Sequence, residues 1–204
     1  MKQARDHQPS PHSTQTWSTF VANHAPEMWA CDFVQTYDLF FRTIFVFFII
    51  ELGSRRVVHF GVTRSPTDSW VAQQLREATP FDERPRFLIR DNDKKFGSQF
   101  DRTAAQIEVL RTPIQAPKAN AICERFIGSV RRECLDHILI MNERHLRKQM
   151  KAYVFYFNRA RPHQGTERIP ESSASNEMPA LGQEGRVVAI PVLSGLHHDY
   201  RRAG

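Results

Sequence analysis

An unbroken apolar run, TIFVFFII at residues 43–50, constrains the fold of this chain more than any other stretch. The run is rich in β-branched and aromatic residues, which favour strands. It is far shorter than the roughly 20 residues that a membrane span needs, and Arg42 and Glu51 flank it. Because successive positions are apolar, both faces of such a strand must be covered. The run therefore predicts a strand buried on both faces of a sheet.

Hydrophobic periodicity predicts alternating strands and helices around this run. The turn ELGSRR joins it to a second β-rich run in an antiparallel hairpin, and WACDFVQ precedes it as a further strand. A short helix in TWSTFVANHA, ended by Pro26, comes before these three strands. The later predicted elements are a helix in SPTDSWVAQQLREAT, a strand in RFLIRD, a short helix in SQFDRTAAQ, a strand in IEVLRT, a helix over 120–137 and a long helix from Asn142 that ends before Pro162. This order is typical of an α/β fold.

The same pattern divides the chain into three parts. Residues 1–16 lack periodicity and predict a disordered arm or the remnant of a linker. Residues 17–166 contain the predicted elements and are of a size to form one domain. Residues 167–204 predict a loop-like tail with one short β-like segment, RVVAIPVL.

Composition favours a polyanionic partner. Lys and Arg number 28 against 22 Asp and Glu, which gives a formal net charge of +6, and a basic balance favours nucleic acid. The three cysteines, Cys31, Cys123 and Cys134, lie in apolar patterns without the paired spacing of a zinc site. We interpret them as reduced core residues of an intracellular protein. The polar start of the chain predicts no secretory signal.

Three acidic residues follow the predicted strands. Asp32 interrupts the first strand, Asp91 ends RFLIRD, and Glu124 lies in the helix over 120–137. A buried carboxylate such as Asp32 is costly unless it binds a partner or a metal, and ligands gather where neighbouring strands of an open sheet end. Taken singly, the three residues could be a salt-bridged acid, a turn residue and a solvated helix position. Arg131 lies on the same helix edge as Glu124, since successive residues are about 100° apart.

Several motifs in order resemble a known family. They are WACDF, SRRVV, LIRDND, ANAICERFIGSVRREC and YFNRARPHQG. Together they are similar to the integrase core domain of DDE transposases from bacterial insertion sequences, which are relatives of retroviral integrases. The resemblance runs from about Trp29 to Thr166.

The resemblance implies an α/β, ribonuclease H-like fold with a five-stranded mixed sheet flanked by helices. It implies that Asp32, Asp91 and Glu124 are the catalytic and metal-binding triad, with two Mg²⁺ or Mn²⁺ ions per active site. It further implies a homo-oligomer that cleaves and joins DNA, the transposon ends and the target, in the bacterial cytoplasm at the nucleoid. Arg131 matches the basic residue that follows the family's glutamate, where it would bind DNA. No membrane partner is expected.

The chain departs from the family pattern at two places. Thirty-two residues, positions 92–123, separate Asp91 from Glu124, a little fewer than usual, and we expect the shortening in a loop near TAAQIEV. Asp93 stands where many relatives have glycine, so it could bind metal or merely shape the turn. His163 lies in NRARPHQG, and its role is not evident from the sequence.

Basic residues near the triad are candidates for DNA binding. Beside Arg131 they are Lys118, Arg125, Lys94 and Lys95. The alternative for each is an ordinary solvated surface charge.

Two other functions stay open on the sequence. The first is a truncated or inactive transposase that still binds DNA, because no helix-turn-helix pattern precedes Trp17. That pattern would then come from a missing N-terminal domain or a separate protein. The second is a ribonuclease H-type nuclease, which the motifs ERFIGSVRRE and NRARPHQG disfavour.

Overall fold

The computed structural model describes residues 16–111, 121–161 and 186–202. The positions Lys118, Pro162, His163 and Thr166 discussed above lie outside these ranges, as do residues 1–15 of the predicted arm. Among the described residues, no helix is both long and apolar enough to cross a lipid bilayer.

A five-stranded mixed sheet forms the centre of the molecule. Its strands are β1 (Met28–Tyr37), β2 (Thr43–Glu51), β3 (Val57–Thr63), β4 (Phe87–Arg90) and β5 (Glu108–Arg111). Their order across the sheet is β3-β2-β1-β4-β5. Strands β1, β2 and β3 pair antiparallel, whereas β4 runs parallel to both β1 and β5. The predicted sheet is therefore confirmed, and the run at 43–50 forms the strand β2.

Within the described ranges, five α-helices accompany the sheet. They are α1 (Trp17–His24), α2 (Asp68–Ala78), α3 (Ser98–Thr103), α4 (Ala121–Glu133) and α5 (Glu143–Arg159). Side-chain oxygens of Thr16, Thr67 and Asn142 accept backbone hydrogen bonds at the first turns of α1, α2 and α5, which satisfies donors that have no partner within the helix. The segment TAAQIEV, where we expect the shortening, joins the six-residue α3 to β5; the shortening itself stays a prediction.

The sheet separates two apolar layers. Even-numbered residues of β2, such as Phe48, pack with α4 and α5, and odd-numbered residues, such as Phe47, pack with α2 and α3. This division follows from the alternation of side chains along a strand. The cysteines are buried and unpaired, as predicted.

A second, two-stranded sheet lies near the end of the chain. Strand β6 (Val187–Val192) pairs antiparallel with β7 (His197–Arg202). The His197 ring stacks on Tyr156 of α5 with centroids 4.8 Å apart. The β-like segment predicted in the tail is thus β6. Its partner β7 was not expected, because HHDYRR has no apolar alternation.

Candidate active site

Asp32 and Asp91 meet at the carboxyl ends of two parallel strands. The register pairs Met28 with Phe87 and Ala30 with Ile89. Continued by two residues, it brings Asp32 of β1 beside Asp91, which directly follows β4. Ala30 and Ile89 belong to the layer beneath α4 and α5. Because residues two apart share a face of a strand, both carboxylates belong to that same layer.

Helix α4 covers this layer and carries Glu124 in its first turn. Its buried residues include Cys123 and Phe126. The ring of Phe126 packs edge-to-face on Phe48 with centroids 4.9 Å apart, and Phe48 is the cross-strand partner of Asp32. Packing of α4 on the sheet therefore places the exposed Glu124 near the strand that carries Asp32.

The acids interact electrostatically. Burial is the main reason that the pKa of Asp32 rises from 3.8 to about 6, and the charges of Asp91, Glu124 and Asp93 raise it further. A hydrogen bond of 2.7 Å from the Phe33 N–H opposes the rise. The three residues that the sequence singled out thus share one electrostatic environment, in which like charges disfavour ionisation.

The carboxylates are not arranged as a ready-made metal cage. Among the described residues, no group of three or more His, Cys, Asp and Glu side chains has the geometry to hold a metal ion. Asp32 accepts from its neighbouring backbone N–H, and Asp91 accepts from the Asp93 N–H at 3.2 Å. The donor set nevertheless fits a hard divalent cation, because carboxylate oxygens suit Mg²⁺ and a cation would relieve the mutual repulsion at Asp32.

Asp93 shapes the turn after β4. Its carboxylate accepts from the Lys95 N–H at 2.9 Å and pairs with the Lys95 ammonium. Burial alone would raise the pKa of Asp93, but these bonds from Lys95 outweigh it and lower the pKa. The ammonium also lies 5.1 Å and 5.2 Å from the ring centroids of Phe33 and Phe45. Phe33 packs with the α2 and α3 layer, so Lys95 lies on the opposite side of the sheet from Asp32, whereas Lys94 is exposed.

A buried arginine supports Asp91, and the sequence analysis did not identify it. Arg90 is 2% exposed and donates to the Asp91 carbonyl at 3.0 Å and to Asp101 at 3.1 Å. Its guanidinium lies 5.0 Å from the ring centroid of Phe96. The only sequence signal was a charge at the end of an apolar strand.

The loop after Asp91 ends in a segment whose backbone is bound by the carboxylate of Asp68. The Asp68 carboxylate of α2 accepts from the backbone N–H groups of Gly97, Gln99 and Phe100 at 2.8–3.0 Å. One carboxylate therefore joins the first turn of α2 to the start of α3.

Arg131 lies further along α4 and is exposed. Its guanidinium donates to the Gln35 carbonyl of β1 at 3.2 Å, so the side chain extends over the strand that carries Asp32. Arg125 is exposed on the same helix, and its charge lowers the pKa of Arg55, in addition to the larger effect of burial. Two of the predicted DNA-binding residues thus lie on α4.

The end of α4 is joined to the end of α5 by an ion pair that the sequence analysis also missed. The Arg161 guanidinium donates to both oxygens of Glu133 at 2.8 Å and 2.6 Å, and the Tyr153 hydroxyl donates to Glu133 at 3.0 Å. Glu133 belongs to the quoted RREC motif and Arg161 to NRARPHQG. The available signal was the presence of both charged residues within motifs of the resemblance.

The strand order, the parallel β1 and β4, and the helix packed over their ends define the class: a ribonuclease H-like fold of the integrase-core type. Comparison with known proteins agrees. Residues 105–170 match the family model described as the integrase core domain. The predicted resemblance and fold are confirmed.

Two similar proteins come from bacterial insertion elements. One is an uncharacterised protein of insertion element IS476 from Xanthomonas euvesicatoria, 28% identical over 71% of this chain and 42% of its own length. The other is an uncharacterised protein of insertion element IS407 from Burkholderia multivorans, 28% identical over 78% of this chain and 60% of its own length. The chain therefore spans about half the length of these relatives.

Retroviral integrases share the fold. The HTLV-2 integrase catalytic core domain, solved with magnesium in a trimeric form, has a TM-score of 0.53 at 13% identity, over 71% of this chain and 93% of that core. An intasome of simian T-cell lymphotropic virus, in complex with the PP2A regulatory subunit B56 gamma, has a TM-score of 0.60 at 15% identity, over 98% of this chain and 73% of the matched chain.

Proposed function

We propose that this chain is the catalytic core of an insertion-element transposase that cleaves DNA and joins the cleaved end to target DNA. The observation that carries the proposal is the continued β1–β4 register, which brings Asp32 beside Asp91 under the helix that bears Glu124. The electrostatic effect of Asp91 and Glu124 on Asp32 supports the same grouping.

Asp32, Asp91 and Glu124 are the proposed metal ligands. The HTLV-2 core was solved with magnesium, and the oxygen donors here suit Mg²⁺ or Mn²⁺. When bound, two such ions would activate the attacking oxygen and stabilise the leaving one in an in-line displacement at phosphorus. The protein's own contribution is to hold the three carboxylates on one face of the sheet, through the β1–β4 register and the packing of α4.

Arg131 is the proposed contact to the DNA backbone. It lies seven residues after Glu124, about 10 Å along the helix at about 1.5 Å per residue, so its guanidinium would bind a phosphate away from the metal ligands. A phosphate contact positions DNA without reading its sequence. Arg125, Lys94 and Lys118 complete the proposed DNA-binding set, whereas Lys95 pairs with Asp93 on the other side of the sheet and is dropped from it. Transposon ends and target DNA as partners, oligomerisation on DNA, and a place at the bacterial nucleoid belong to the same proposal.

Cleavage and strand transfer of DNA test the proposal. The substrates are labelled duplexes from the boundaries of the insertion element and a supercoiled plasmid, with Mg²⁺ or Mn²⁺. Asp32→Asn, Asp91→Asn and Glu124→Gln should each abolish both products. The matched control is Asp136→Asn, because Asp136 is an exposed acid beyond α4 and its loss should leave both products. Full activity of any triad variant would remove that residue from the site.

A protein that binds DNA without cleaving it is the second candidate. The exposed Arg125 and Arg131 of α4 favour it, because they would bind DNA phosphates whether or not the three acids hold a metal. Calorimetric titration with Mn²⁺ separates the two functions. Metal binding that is lost in Asp32→Asn supports the enzyme, whereas DNA binding without metal binding or cleavage supports the second candidate.

A further inference from the structure

The loop between β1 and β2 presents two phenylalanines to solvent. Phe40 is 70% exposed and Phe41 is 87% exposed. Exposed apolar side chains that form a contiguous patch often mark an interaction site. We call residues 38–42 the aromatic loop.

The aromatic loop is held firmly in spite of its exposed tip. Asp38 is buried, and its carboxylate accepts from the backbone N–H groups of Phe40 and Arg42 at 2.9 Å and 3.0 Å. It also accepts from the side chains of Arg42 and Arg64 at 3.0 Å and 2.7 Å. Burial alone would raise the pKa of Asp38, but these hydrogen bonds outweigh it and hold the pKa far below its ordinary value. These four hydrogen bonds to the Asp38 carboxylate hold the base of the loop in place.

Phe41 occupies a conformation that its side chain disfavours. Its φ is +57°, in the left-handed region that hairpin loops of this kind normally give to glycine or asparagine. The turn is closed by the hydrogen bonds Asp38 N–H to the Arg42 carbonyl, 3.1 Å, and Phe41 N–H to the Asp38 carbonyl, 2.9 Å. The Phe41 side chain is 87% exposed, so its burial contributes little to offset the strain. Backbone strain of this kind clusters at active sites and ligand-contacting segments.

The aromatic loop follows the carboxyl end of β1, the strand that carries Asp32. Strand β1 continues from Asp32 to Tyr37, about 17 Å at about 3.4 Å per residue, and the loop follows. Between them, Arg131 is bonded to the Gln35 carbonyl. The Arg42 guanidinium lies 5.0 Å from the Phe40 ring centroid. Exposed aromatic rings beside arginines match the stacked bases and phosphates of DNA.

We propose that Phe40 and Phe41 insert between neighbouring base pairs of the DNA near the cut and open the stack there. This inference rests on the proposed function for its substrate. Apolar side chains that enter a base step bend the duplex and expose it to further contacts. A DNA duplex is favoured over a second copy of the chain, because the loop shares its edge with the acids and with Arg131. The base step should lie about five base pairs or more from the cut, since about 17 Å of strand separates Asp32 from Tyr37, DNA rises about 3.4 Å per nucleotide, and the aromatic loop extends beyond Tyr37.

Permanganate oxidation of thymines tests the proposal, because it reports unstacked bases. The full chain is bound to a boundary duplex with thymines placed in turn along the flank of the cut. The wild type should make thymines near one step hyper-reactive, and Phe40→Ala/Phe41→Ala should lose this reactivity. Both rings are exposed, so the double variant should fold normally, which circular dichroism checks. The matched control is Phe155→Ala, since Phe155 is 48% exposed and also lies beneath an arginine, Arg159.

Affinity provides a second readout. The double variant should bind the duplex about tenfold more weakly, which is the range for a lost stacking contact. The dependence of affinity on salt should not change, because no charge is removed. Equal reactivity and affinity in wild type and double variant would overturn the proposal. So would a dimer in light scattering that the double variant alone dissociates, which would assign the loop to a second copy.

Failure of the proposed transposase function gives a different result from failure of the insertion by Phe40 and Phe41. In that case the wild type does not cleave with either metal, whatever the permanganate pattern. Asp32→Asn should lose cleavage and keep the hyper-reactive thymines, so the two proposals are measured separately.

Discussion

Replacing Glu133 by glutamine tests whether the ion pair with Arg161 holds α4 in position. Glutamine keeps the acceptor for the Tyr153 hydroxyl but loses the charge. The pair has two short bonds, 2.8 Å and 2.6 Å, and its side chains are only 23% and 24% exposed. Fully exposed pairs contribute about 0 to 1 kcal/mol, whereas hydrogen bonds to charged groups contribute about 1.5–3 kcal/mol. We therefore expect a coupling free energy of about 2 kcal/mol.

The measurement is a double-mutant cycle of Glu133→Gln and Arg161→Gln, with unfolding followed in urea. Each single variant should lower the free energy of unfolding by about 2 kcal/mol. The double variant should lose little more than either single one. A coupling free energy below about 0.5 kcal/mol would refute the reasoning, because it would make the pair equivalent to an exposed one.

The same pair predicts a dependence on pH. Burial alone would raise the pKa of Glu133, but the hydrogen bond and charge of Arg161 outweigh it, so the pKa lies below its ordinary value of 4.5. A folded-state pKa that is lowered contributes stability above the unfolded pKa, and the contribution is lost as pH falls through the folded value. The wild type should therefore lose this advantage over Glu133→Gln below about pH 4.5. An advantage that is unchanged at pH 3 would contradict the assignment.

Three further predictions concern the sheet edge. Asp32→Asn should raise the melting temperature by a few degrees while it abolishes cleavage, because it removes a charge disfavoured by burial and by its neighbours; an unchanged or lower melting temperature would contradict this account. Arg131→Ala should reduce the slope of the salt dependence of DNA binding by about one unit, as measured by filter binding. The control Arg132→Ala should change this slope less. An equal change in both variants would indicate a diffuse basic face. Phe41→Gly should stabilise the fold by about 1 kcal/mol in urea unfolding, since glycine adopts positive φ without strain, and should weaken DNA binding; destabilisation would show that the ring packs in the native state.

The sequence predicted the parts of this molecule that depend on local pattern. The run at 43–50 became β2 because apolar residues on both faces must be covered, and Asn142 begins α5 because its side chain accepts the His145 N–H at 2.8 Å. The grouping of Asp32, Asp91 and Glu124 came from the resemblance and not from periodicity. Their metal-binding role stays a prediction.

Contacts between distant residues could not be predicted in the same way. Glu133 and Arg161 are 28 positions apart, and nothing local specifies their pairing. The buried Arg90 depends on Asp101 across a loop, and strand β7 has no apolar alternation of its own. These features arise from tertiary packing, which overrides local preference.

The Asp68 carboxylate that accepts from Gly97, Gln99 and Phe100 has a consequence for how fast the Asp91 loop can move. With β4 at one end and Asp68 at the other, only a few residues between them can change their backbone angles, so little chain entropy remains to be lost when a ligand binds. We therefore expect the Asp91 carboxylate to adjust by side-chain rotation, on the picosecond to nanosecond scale, and not by slower loop displacement. The amides of Gly97, Gln99 and Phe100 should accordingly exchange slowly with deuterium, at the same rate with and without divalent metal.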